Sequence, residues 1–216
     1  MNIIQRIKKC NDELRGIQGV DIGEFIVSPP TSNQVLDELE TKLEYKLPVI
    51  LRDFYLNQAS SVSFSWMVGN QDVFGRDCTY GKIQIPSPYE LLDLVLEMKG
   101  MVQEAIQNSE ELATNEGLRA LVDDWEYWIP ISIFTNGDAF CISTKKDGEI
   151  VFLEHDVMDG GPNIHGLKIA NNFDDLINKW SKVAFVDIYD WSKGTNDEGI
   201  DLSNIIYSKL LSVIKE

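Results

Sequence analysis

Between Trp128 and Asp156 the chain alternates apolar and polar residues in three short runs separated by two glycine-containing turns. The runs are Ile129, Ile131 and Ile133, then Phe140 and Ile142, then Val151 and Leu153. This pattern predicts a three-strand antiparallel meander. Asn136-Gly137 is the strongest short hairpin signal, because both residues tolerate the positive φ of a type I′ turn. Asp147-Gly148 supplies the second turn. With two central residues in each turn, Ile133 lies opposite Phe140, Ile131 opposite Ile142, and Ile142 opposite Leu153. One face is then apolar and buried, while Ser132, Cys141 and Glu154 line the other.

The flanking pattern is mostly helical. A first helix is expected over about Met1–Leu14, with Ile3, Ile4, Ile7 and Leu14 on one face. Ser28-Pro29-Pro30-Thr31-Ser32 stops the chain and offers an N-cap, so a helix is expected over about Asn33–Leu43. Leu47-Pro48 opens another, with proline tolerated in the first turn. Val62, Phe64, Trp66 and Val68 alternate as a strand. Residues 69–88, rich in glycine and proline, read as loops with short strands. Pro88-Tyr89-Glu90 begins a long helix through Leu91, Leu92, Val95, Met98, Val102, Ala105 and Ile106. Lys168–Ala170 reads as a strand and Asn172 as the cap of a helix through Phe173, Leu176, Ile177 and Trp180. A last amphipathic helix is expected from about Leu202. The expected class is α+β: an antiparallel or mixed sheet with a central meander, helices packed on one face, and N- and C-terminal helical extensions. The expected organisation is an N-terminal extension over 1–30, a domain over 31–182 with a helical insertion at about 89–127, and a C-terminal extension over 183–216 packed on that domain.

Charge excludes some partners. Of 216 residues, 35 are Asp or Glu and 19 are Lys or Arg, a net charge of −16. That field repels nucleic-acid phosphates and anionic lipid and suits a basic partner, although plain solubility explains it as well. From Gln103 to Trp128 the chain carries Glu104, Glu110, Glu111, Glu116, Asp123, Asp124 and Glu126 against Arg119 alone. No stretch approaches the ~20 apolar residues of a membrane helix. The start lacks the apolar core of a signal peptide. Cys10, Cys78 and Cys141 are too widely spaced for a metal pair or disulfide framework, so a reducing cytoplasm is expected.

No phosphate loop, nucleophile elbow or zinc-protease motif is present, so no catalytic role and no cofactor is expected. His155, Asp156, Asp159 and His165 are ligand-type residues, but their spacing matches no known loop and no metal is expected. Trp125 and Trp128 stand among carboxylates. They are either ring-face anchors for a cationic partner or closures of the core beneath the meander. Asp138 follows the first turn and is expected to point outward, to a partner or in support of the turn.

Four blocks together resemble the SUKH superfamily, whose members include bacterial immunity proteins and a fungal cell-wall synthesis regulator. They are Leu39, Glu40, Leu43, Leu47-Pro48, Leu51 and Phe54-Tyr55; Ile129-Pro130-Ile131 with Asn136-Gly137-Asp138 and Phe140-Cys141-Ile142; Gly148 through Asp156; and Ile169-Ala170-Asn171-Asn172-Phe173 with Leu176 and Trp180. The match covers about residues 30–182. It departs from the family where the first helix pair ends in Asn57-Gln58-Ala59-Ser60 rather than a glycine turn, and in the long insertion from about Leu91 to Trp128. The resemblance implies an immunity protein that binds a cognate toxin domain by stoichiometric occlusion in the producing cell; the acidic charge adds the expectation of a basic toxin, for which a nuclease is the natural candidate. The expected partner-binding residues are Trp125, Glu126, Trp128, Asp138, Glu154 and Asp156. Alternatives are a regulatory interaction scaffold or a small-molecule binder using the sheet cleft.

Overall fold

Two long alternating segments each seed an antiparallel sheet. The computed structural model describes residues 1–108, 114, 116–155 and 164–214. In chain order the elements are α1 (Ile3–Arg15), β1 (Val20–Ile22), β2 (Ile26–Ser28), α2 (Asn33–Leu43), α3 (Val49–Asn57), β3 (Ser61–Val68), β4 (Tyr80–Ile85), α4 (Pro88–Asn108), α5 (Glu116–Val122), β5 (Trp128–Ile133), β6 (Ala139–Ser143), β7 (Ile150–Leu153), β8 (Lys168–Ala170), α6 (Phe173–Trp180), β9 (Thr195–Asn196), β10 (Gly199–Ile200) and α7 (Ser208–Val213). The class is α+β.

The first sheet is built on β3. β4 pairs along one edge, while β1 and β2 share the other, with Ile22 opposite Trp66 and Ile26 opposite Ser63. The first thirty residues therefore contribute strands as well as the expected helix. Helix α1 begins at a capping box, in which Asn2 accepts from the Gln5 backbone N–H and Gln5 accepts in return. Pro48 sits one residue before α3 as its N-cap rather than inside the first turn.

The second sheet runs β5-β6-β7-β8 and contains the expected meander. Its register differs from the two-residue expectation. Phe134 N–H donates to Asp138 O, and Gly137 alone of the turn residues has positive φ (+98°). The loop thus holds three residues, and Ile133 lies opposite Ala139. Gly137 terminates a tight turn where a type I′ pair would have needed positive φ at Asn136 too. A bulge between Pro130 and Ser132 then sets Ile129, not Ile131, opposite Ile142. The second turn spans Thr144–Gly148, with Asp147 and Gly148 both at positive φ, so Ile142 meets Ile150 rather than Leu153.

The meander is covered on both faces. Ile129, Phe140, Ile142, Ile150 and Phe152 join the main core with α1, α2, α3 and α6. The opposite face is not open. Trp128, Ala139, Cys141, Val151 and Leu153 pack with Val102, Val122 and Trp125 in a second cluster. The C-terminal half of α4 and the residues following it supply that cover, so the expectation of helices on one face is corrected. The reason lies in Met98, Val102 and Ile106, which continue the apolar stripe of α4 past the main core.

The C-terminal residues are less helical than expected. A 3-10 turn at Ile205–Tyr207 and the short α7 replace the long amphipathic helix. Before them, Ala184 and Phe185 both adopt left-handed φ of +55°. Two buried indoles hold that turn: Trp66 Nε1 donates to Ala184 O (2.6 Å) and Trp180 Nε1 to Val186 O (2.9 Å). The segment then runs beside β4, with Lys82 N–H donating to Phe185 O and Asp187 N–H to Tyr80 O. Asp187 and Asp190 are thereby delivered to the tip of the meander.

Candidate functional site

The tip is organised by a buried carboxylate. Asp138 is 6% exposed, because the three-residue turn folds its side chain inward rather than outward as expected. Its Oδ1 accepts from the His155 backbone N–H (3.0 Å) and lies 2.9 Å from His155 Nδ1, while Oδ2 accepts from Asn136 Nδ2 (2.6 Å). Asn136 Nδ2 also donates to the backbone carbonyl of the exposed Tyr189, and Asn136 Oδ1 accepts from the Asp138 N–H. Asp138 thus ties β6 to the end of β7.

Around it stand further acids. Burial pushes the Glu154 carboxyl above the usual carboxylate range, and the charges of Asp138 and Asp190 push it further; the Ile164 N–H and His155 only partly offset this. Asp187 is likewise raised, first by burial and also by Asp138, although the Thr135 N–H and hydroxyl donate to it and Lys82 opposes the rise. Asp138, Glu154, Asp187 and Asp190 are therefore grouped at the tip, where Asp138 and Asp190 act as like charges on Glu154, and Asp138 on Asp187.

A second network joins this tip to the tryptophan cluster. Trp125 Nε1 donates to His165 Nε2 (2.8 Å), and the Glu154 N–H points at His165 Nδ1 (3.1 Å). The Trp128 ring lies 4.9 Å from the imidazole, centroid to centroid. A neutral imidazole has one unprotonated nitrogen, so it accepts from one of these two N–H groups at a time. Trp125 and Trp128 are 8% and 3% exposed. They close the second core, which leaves no ring face presented to a cationic partner. Glu126 is exposed, and its carboxylate beside the Tyr127 hydroxyl raises that phenol. Nearby, Lys145 pairs with Asp124 at 2.9 Å and stacks 3.7 Å from the Tyr127 ring centroid.

Of the expected site residues, Asp138, Glu154, Trp125 and Trp128 are brought into one connected network, Glu126 lies at its margin, and Asp156 falls outside the described residues. Sequence reasoning missed His165 as the link, and Asp187 and Asp190 as tip acids. Asp187 and Asp190 follow the left-handed Ala184–Phe185 turn, which no glycine marks. Among the described residues, no group of three or more His, Cys, Asp or Glu is placed to hold a metal. No helix of the described residues is long and apolar enough to cross a membrane.

A narrower cleft lies where α4 crosses β4 and β5. It encloses about 280 Å³ and is lined by Glu90, Asp93, Leu94, Glu97, Pro130 and Ser132 among others. Carboxylates thus stand both at the sheet end around Asp138 and on the α4 side of this cleft.

Comparison with known families gives a match. The family model described as SMI1/KNR4 family (SUKH-1) matches residues 30–179, more than two thirds of the chain. No curated protein matches the chain.

Proposed function

The chain belongs to the SMI1/KNR4 family (SUKH-1), and from that membership we propose that it is a non-catalytic, immunity-type protein that captures a basic toxin domain and occludes its working surface. The observation that carries this reading is the group of like-charged acids at the meander tip. Glu154 and Asp187 hold raised carboxyls there, and no ion pair with a lysine or arginine neutralises Asp138, Glu154 or Asp187 among the described residues. Such a group is relieved when a cation arrives from outside. The net charge of −16 extends the same attraction to long range. Steering of this kind raises association rates by roughly 10 to 1,000-fold at low salt. A nuclease domain is a natural target, because it must itself bind phosphates.

A regulatory scaffold is the rival reading. It predicts several weak partners and little salt dependence. A pull-down of the C-terminal domain encoded by the adjacent gene, at low and high salt, separates the two. One-to-one capture that weakens with salt supports immunity. No capture at low salt, with both proteins folded, removes that domain as the target.

A further inference from the structure

The cleft between α4, β4 and β5 has an apolar floor and an acidic wall. Pro86, Leu94, Pro130, Ile131 and Ile133 make the floor. Glu90, Asp93 and Glu97 recur at helical spacing along α4, all exposed at the rim. Glu90 is committed locally. Its carboxylate accepts from the Ser87 N–H, which holds its pKa below the usual range. Asp93 and Glu97 have no cationic partner among the described residues, and no lysine or arginine lines the cleft. Ser132 also lines it. That residue is 3% exposed, and its hydroxyl has no hydrogen-bond partner among the described residues. That hydroxyl is not sealed from solvent, so it can accept or donate on the cleft side.

These groups share one property: the carboxylates and the hydroxyl all accept hydrogen bonds, and the apolar floor suits a methylene stem. An arginine side chain answers both. Its stem packs on apolar surface while its planar head offers five donors. The outer edge of β5 is not a general strand acceptor, since Pro130 lacks an N–H. Side-chain insertion fits better than strand addition.

Resting on the reading of a basic protein partner, we propose that this cleft receives an arginine side chain from that partner, held by Asp93, Glu97 and Ser132 over the Leu94–Ile131 floor. The tip acids then steer and orient, and the cleft anchors.

The test needs no identified partner for its first arm. A blocked Gly-Arg-Gly peptide and its citrulline counterpart are titrated into the ¹⁵N-labelled full chain. The arginine peptide shifts the amides of Asp93–Glu97 and Ser132–Ile133; the citrulline peptide does not. The Asp93→Asn/Glu97→Gln variant, altered only at exposed positions, loses the shifts while keeping its melting temperature. Shifts elsewhere, or shifts unchanged in the variant, overturn the proposal. In the second arm, a captured basic domain binds this variant about tenfold more weakly, whereas an Asp37→Asn/Glu38→Gln control on α2 leaves binding unchanged. Capture that is indifferent to Asp93 and Glu97 overturns the cleft and spares the immunity reading. Peptide shifts at the cleft without capture of any basic domain do the reverse.

Discussion

Two regions of this molecule centre on a carboxylate that burial should penalise, and they resolve the penalty differently. Glu40 in α2 is 5% exposed. Burial alone would raise its carboxyl. Lys46 at 2.7 Å, the Leu47 N–H at 3.1 Å and Arg52 at 3.0 Å outweigh that and hold it below the usual range. At the meander tip, Glu154 and Asp187 stay above the usual range, because burial raises them, neighbouring acids add to the rise, and the local donors offset it only in part. In the first region a lysine and an arginine sit directly on the carboxylate; in the second no lysine or arginine pairs with Asp138, Glu154 or Asp187 among the described residues. Glu40 welds the α2–α3 corner; the proposed function assigns the tip acids to a partner. Fixed, like-charged groups kept at a cost to the fold are a mark of function rather than of stability.

The contrast breaks most visibly at Glu40. Glu40→Ala should leave Arg52 and the Leu47 N–H without their shared acceptor and cost about 2–3 kcal/mol. A thermal melt should then show a fall of roughly 5–10 °C; a loss within ~0.5 kcal/mol would return Glu40 to the class of ordinary surface acids. At the tip, Gly137→Ala forces positive φ on alanine and places a Cβ 3.1 Å from the His155 ring. A loss of about 1–2 kcal/mol is expected in denaturant unfolding, with the His155 resonances displaced. Trp125→Phe keeps the ring in the second core but removes the donor to His165, for a loss of about 1 kcal/mol.

The smallest stability effect is expected at Glu154, and its sign carries the comparison. A carboxyl raised on folding contributes stability below its ordinary pKa of 4.5, and that contribution fades as pH rises through the folded value. Glu154→Gln should therefore cost nothing at pH 7, within ~0.5 kcal/mol, or stabilise slightly. Glu40 runs the other way. Its contribution is present above pH 4.5 and fades as pH falls through its lowered folded value. Melting curves between about pH 3 and pH 7 should show the acid limb flattened in Glu40→Gln, with Glu154→Gln changed only above its ordinary pKa of 4.5.

The fold and the site were legible in the sequence in proportion to how local their causes are. The bounds of α2 and β8 and the Asn172 cap of α6 follow from short-range signals that the structure repeats. The meander was legible from alternation and its two glycine turns, but its register was not. A three-residue loop and a bulge at Pro130–Ser132 depend on which backbone angles Asn136 and Ile131 finally adopt, and packing decides those. The covered second face escaped because Cys141 and Ser132 read as outward positions until the far half of α4 is laid over them. The site divides in the same way. Asp138 and Glu154 stand out beside a turn, whereas Asp187, Asp190 and His165 reach the tip through long-range contacts. A left-handed turn at Ala184–Phe185, held by indoles 118 and 6 residues away, leaves no local signature.

The central claim is that the tip acids await a cation from another protein. Its most direct test is the affinity of a captured basic domain for the wild-type chain and for Glu154→Gln, titrated across salt concentrations. The account predicts that Glu154→Gln binds about tenfold more weakly at low salt, with a shallower dependence on salt and an unchanged melting temperature. Equal affinity and equal salt slope in the two proteins would contradict it.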